Sequence, residues 1–151
     1  MKNNLQIKKL LLEACFNFVL QKEGTILQAI QSSKNDLFSE TKSSAGDKHE
    51  TGRAMIQLEM EKASQQLLVV TEMKDILKKL SIEKTSEIGK LGSLIKTTKG
   101  TYFLAVSIGK ITVENEDYFA VSAQSPIGQQ LLGSKVKNIV TFNGAEILEI
   151  V

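Results

Sequence analysis

The sequence predicts an α+β protein: an N-terminal antiparallel coiled-coil helical hairpin followed by an antiparallel β domain with one short helix. Three observations carry this: where the chain-breaking residues fall, a seven-residue apolar repeat in the first half, and β-rich segments between turn signals in the second. From Met1 to about Lys84 there is no proline, and the glycines are Gly24, Gly46 and Gly52. Glycine then recurs at 89, 92, 100, 109, 128, 133 and 144, with the single proline at 126. Glycine and proline punctuate turns, so residues 1–84 read as helical and 85–151 as a separate, turn-rich domain.

Leu5, Leu12, Val19 and Ile26 are spaced seven apart, with Phe16 and Ile30 four residues after members of the series. Ile56, Ala63, Val70 and Leu77 repeat the spacing, with Met60 and Leu67 between. Each series makes an apolar seam along one side of a helix, and a short connection favours antiparallel packing of the two. The seam lapses between Gln31 and His49, which places the connection there. Each arm has roughly 30 residues, about 45 Å at 1.5 Å per residue. Asp47 is suited to cap the second helix by accepting from free backbone N–H groups, and Glu50 completes a capping-box-like spacing.

In the second half, strands are expected at 93–98, 101–108, 110–113, 118–123, 136–142 and 146–150, all rich in Val, Ile, Thr, Tyr and Phe. Asn143-Gly144 is the strongest hairpin signal. Ser125 to Gly133 reads as one short helix, with Ser125 as cap, Pro126 in the first turn and Gly133 ending it. Tyr102, Phe103, Tyr118, Phe119 and Phe142 are expected in the core.

Hydrophobic residues make up 42% and charged residues 24%, the profile of a folded protein, and a net charge of +2 gives no case for nucleic acid or membrane as a partner. The single cysteine, Cys15, is expected to be a buried thiol in a reducing, cytoplasmic setting. Lys8, Lys9, Glu13 and Asn17 interrupt the N-terminal leucines, so neither a signal peptide nor a membrane span is expected.

Two motifs resemble the GreA/GreB family of transcription elongation factors. Gly46-Asp47-Lys48-His49-Glu50, followed by Ala54 and Gln65-Gln66, is similar to the family's Gly-Asp-x-x-Glu coiled-coil tip. The segment Ala120 to Lys135, with Ser125-Pro126 and Leu131-Leu132-Gly133-Ser134-Lys135, is similar to the strand, Ser-Pro helix and Leu-x-Gly-Lys run of its FKBP-like C-terminal domain. The order of parts matches over nearly the whole chain. Where the family continues with Asn-Ala, an acidic residue and Tyr, this chain has Thr51-Gly52-Arg53-Ala54.

The resemblance implies binding to RNA polymerase, insertion of the tip into its secondary channel, and stimulated cleavage of backtracked RNA. The polymerase remains the nuclease, and the nascent RNA 3′ end is engaged indirectly. Asp47 and Glu50 become the working acids, sharing Mg²⁺ with the polymerase, and no cofactor is expected to bind the free protein tightly. Hard carboxylate oxygens suit that ion, which keeps several waters. Lys48, His49 and Arg53 either ease passage beside RNA phosphates or are solvated surface. His49 lacks a second histidine or cysteine and is a poor transition-metal ligand. Ser125, Pro126, Ile127 and Leu132 are the docking candidates. Alternatives are a polymerase-binding regulator of the same fold that competes or inhibits without cleavage, and an FKBP-like prolyl isomerase or chaperone. The sequence leaves open whether the free protein is a homodimer.

Overall fold

A computed structural model describes residues 2–42 and 46–151, and the side chains of residues 40–49 lie outside the description. The elements run α1 (Asn4–Lys42), α2 (Gly46–Lys79), β1 (Leu94–Thr97), β2 (Gly100–Ala105), β3 (Gly109–Val113), β4 (Glu116–Ser122), α3 (Pro126–Leu131), β5 (Ile139–Val140) and β6 (Ala145–Ile150). The α+β class is confirmed: two long helices packed together precede a six-stranded, mostly antiparallel sheet and a short helix. The chain divides into two compact units, Val19–Lys74 and Met1–Phe18 with Asp75–Val151.

In the Val19–Lys74 unit the two helices meet along the expected seam. Val19, Ile26, Ala63 and Val70 are buried, with Ile30, Ile56, Met60 and Leu67 half-buried beside them. Burying each branched aliphatic side chain contributes about 1.5–3 kcal/mol, which makes this seam the main stabiliser of the pair. A half-buried ion pair, Lys74 Nζ to Glu23 Oε1 at 3.1 Å, sits beside it. It adds about 1 kcal/mol or less and pins which turn of α1 faces which turn of α2.

Two expectations for α1 need correction. The connection does not span residues 31–49, because α1 continues to Lys42. Residues 31–42 contain no glycine or proline, half-buried Ser33 and Leu37 extend the seam at helical spacing, and Gln31 Nε2 donates to Asn35 Oδ1 at 3.2 Å one turn on. In addition, Leu5 is exposed and Leu12 only half-buried, while Lys8, Leu11 and Cys15 are buried in their place. A straight helix drifts about 20° per heptad. This end of α1 also belongs to the other unit, where Ile7 shares a hollow with Leu94, Thr101 and Tyr118 of the sheet. The helix begins with a reciprocal cap: Asn3 N–H donates to Gln6 Oε1 and Gln6 N–H to Asn3 Oδ1, both at 2.9 Å.

The sheet order is β3-β4-β2-β1-β6-β5, and all neighbours are antiparallel except β2 and β4. β3 and β4 are joined by a two-residue turn at Glu114 and Asn115, whose φ values of 52° and 67° mark a type I′ hairpin. Asn143-Gly144, the stronger signal in the sequence, closes a four-residue loop instead, because pairing of β5 with β6 ends at Val140↔Ala145. β5 keeps only two residues of the expected 136–142 strand. Lys137 has a φ of 77°, which breaks extended pairing on one side, and the 141–144 loop begins on the other. Phe142 therefore lies in the loop, exposed, rather than in the core. Phe103 and Tyr118 are buried as expected, and half-buried Tyr102 and Phe119 form a tilted pair with ring centroids 5.8 Å apart.

One core cluster gathers Ile95, Ile127, Leu131, Val140, Ala145 and Ile147, with Tyr102, Val121 and Ile150 packed against it. α3 supplies Ile127 and Leu131, and Gly128 is why it fits: a Cβ there would overlap the backbone oxygen of Ser122 at the end of β4. Gly24, mid-helix in α1, is the opposite case, since a Cβ there would meet nothing within 4 Å.

Gly128→Ala is expected to lower stability by about 2–4 kcal/mol through forced displacement of α3. Gly24→Ala is expected to raise it by about 0.5–1 kcal/mol through helix propensity. Urea unfolding of the two variants beside the parent protein checks both signs.

Candidate functional site

The residues singled out in the sequence fall in two places, the start of α2 and the Ser-Pro helix. At the start of α2 the backbone of Gly46, Asp47, Lys48, His49 and Glu50 is helical. Positions 47 and 50 are therefore about 60° apart around the helix axis, within one turn. The side chains of Asp47, Lys48 and His49 lie outside the described residues, as does the expected cap by Asp47. Glu50 is exposed and Arg53, one turn on, is half-buried. Arg53 thus lies nearer the seam than Glu50 does.

A helix start favours anionic groups, because its unsatisfied N–H groups carry the positive end of the helix dipole. The donor chemistry there, carboxylate oxygens three residues apart, suits a hard divalent ion. Among the described residues no three His, Cys, Asp or Glu side chains gather as a metal site. Two carboxylates on one turn would need further ligands from a partner to hold Mg²⁺.

The Ser-Pro helix has the cap geometry expected of it. Ser125 has φ −69° and ψ 158°, its Oγ accepts from Gly128 N–H at 3.1 Å, and Pro126 occupies the first turn. The same Oγ donates to Ser122 O at 2.6 Å, tying the cap to β4. Leu132 follows the helix and Gly133 takes a φ of 81°, which ends the run. Of the four docking candidates, Pro126 and Leu132 are exposed, Ser125 is half-buried and Ile127 is buried. Ile127 holds α3 to the sheet and is mostly buried.

Two buried titratable groups stand outside both places. The Cys15 thiol is wholly buried and pushed up to about 12 by desolvation, the inert packing role expected for it. Lys8, 2% exposed, was legible only as a charged interruption of the N-terminal leucines. Its position four residues before Leu12 and three before Leu11 was the available signal. Its ammonium donates to Ile82 O at 3.4 Å, and both burial and the nearby Lys90 charge hold its pKa below the ordinary lysine value.

No protein-family model matches this chain, and no curated protein matches it. No helix among the described residues is long and apolar enough to cross a membrane.

Because folded Lys8 binds its proton less tightly than the unfolded chain does, stability should rise with pH from its lowered pKa up to 10.5. Lys8→Met should be more stable at pH 7, by on the order of 1 kcal/mol, and should lose that rise. Chemical unfolding between pH 7 and 10 measures both. Cys15 acts in the opposite sense above pH 9. There the unfolded thiol releases its proton while the folded one keeps it, so stability falls towards pH 12. A disulfide-exchange reagent at pH 8 should label native Cys15 only at the rate of opening.

Proposed function

We propose that this chain is a Gre-type transcription elongation factor. It binds RNA polymerase, inserts the α1–α2 connection into the secondary channel and stimulates cleavage of backtracked RNA by the polymerase. The observation that carries this reading is Gly46-Asp47-Lys48-His49-Glu50 at the N-terminal turn of a long helix paired with another. The same chain also holds a Ser125-Pro126 capped helix seated on a mostly antiparallel sheet. In this reading the sheet domain is FKBP-like and docks on the polymerase through exposed Pro126 and Leu132, while Ser125 and Ile127 fix the helix that presents them.

Asp47 and Glu50 would contribute carboxylate oxygens to a Mg²⁺ shared with the polymerase, which when bound polarises water and phosphate oxygen. The two residues act by position: the helix holds their backbone within one turn, so both acids can approach one point together. Lys48, His49 and Arg53 lower the cost of bringing two acids near RNA phosphates.

A second reading is favoured by Thr51-Gly52-Arg53-Ala54, which sets a cation one turn from Glu50. On it the protein occupies the same channel and competes or inhibits without promoting cleavage.

A stalled, backtracked elongation complex separates the two. The parent protein should shorten the RNA, and Asp47→Ala with Glu50→Ala should bind polymerase comparably while losing about tenfold or more of the stimulation. Binding without shortening by the parent protein selects the second reading, and failure to bind polymerase overturns both.

A further inference from the structure

The sheet-bearing unit, Met1–Phe18 with Asp75–Val151, carries a groove. Its apolar lining is Ile76, Leu80, Leu91 and Leu132, and its charged lining is Lys79, Lys90 and Asp75. Leu132 is 48% exposed. Neither lysine has an ion pair among the described residues, so the groove carries cationic charge beside open apolar surface. Buried Lys8 adds to the same field: it lies close enough to Lys90 for the two charges to oppose each other, and its one described hydrogen bond is a long one to Ile82 O. Asp75 offsets one of these three charges.

We propose that this groove docks an acidic segment of a partner protein that presents bulky apolar side chains, of the kind a helix with a Glu-Leu-Leu-Glu pattern displays. Charge complementarity selects that occupant. Carboxylates would supply the counter-charge that Lys79 and Lys90 lack, and leucine side chains would cover Leu132, Leu91 and Leu80. The groove lining includes no aromatic residue on which a base could stack, which disfavours single-stranded nucleic acid. The proposal goes beyond the elongation-factor reading and does not depend on it: it concerns neither Asp47 nor Glu50, and Leu132 is the one residue the two readings share.

The test is fluorescence anisotropy of the full chain with a short fluorescein-labelled Glu-Leu-Leu-Glu repeat peptide at low salt. Lys79→Glu with Lys90→Glu should weaken binding about tenfold or more, and Leu132→Ala several-fold, with circular dichroism showing that both variants stay folded. A Glu-Ser-Ser-Glu peptide should bind more weakly than the leucine peptide, and a Lys-Leu-Leu-Lys peptide weaker still. The proposal is overturned if the leucine peptide does not bind, if the variants bind it as the parent does, or if either control peptide binds equally well. Cleavage stimulation is read separately, so either result can fail alone.

Discussion

The seam between α1 and α2 is the constraint on which the first half of the molecule depends. Both helices leave apolar side chains such as Leu27 and Leu58 exposed outside it, and burial of Val19 and Ile26 with Ala63 and Val70 is what removes apolar surface from water to hold them paired. The Glu23–Lys74 ion pair is too exposed to replace that contribution, and its value is registration. Registration matters chemically because it determines which residues stand where α1 ends and α2 begins. A slip of one turn would exchange Gly46–Glu50 for a different set at that position.

The second half depends on close approach. α3 lies so near the end of β4 that only glycine fits at 128, and the Ser125 hydroxyl bridges cap and strand by accepting from Gly128 N–H and donating to Ser122 O. Ser125, Pro126 and Gly128 therefore have sufficient structural reasons to be what they are. This bears on how the Ser-Pro segment is read: a motif that a fold requires argues for the fold first. A docking role rests on the residues that remain exposed, Pro126 and Leu132. Close approach recurs at Gly92, where φ is 93° and a Cβ would overlap the Ser81 backbone oxygen just after α2. The chain between α2 and β1 is thus held by backbone geometry as well as by Lys8 from α1.

Electrostatics divide the molecule by role. Cys15 and Lys8 are about two turns apart on α1, and burial moves them in opposite directions because one is charged by losing a proton and the other by keeping it. The neutral thiol belongs in an apolar setting. The buried ammonium is a local energetic cost, and its field reaches Lys90. Glu50, near the start of α2, is exposed and stays available to solvent and to a partner.

Periodicity determined most of the α-helical half by itself: Ile56, Met60, Ala63, Leu67, Val70 and Leu77 line the buried side of α2 as the repeat requires, because a helix has one period and one inward side. Ser125, Pro126 and Gly133 likewise marked α3 through local chemistry. What the linear chain left undecided lay where distant parts compete. Leu11 and Cys15 displaced Leu5 and Leu12 because the first turns of α1 face the sheet as well as a helix. The β2–β4 parallel pairing, the shortened β5 and the loop position of Phe142 depend on which strands become neighbours, and strand order has no signature in a single strand's composition. Asp47 and Glu50 were legible as a spaced pair of acids because helix geometry alone relates them. The Lys79–Lys90–Leu132 groove was not, since it joins residues that only folding brings together.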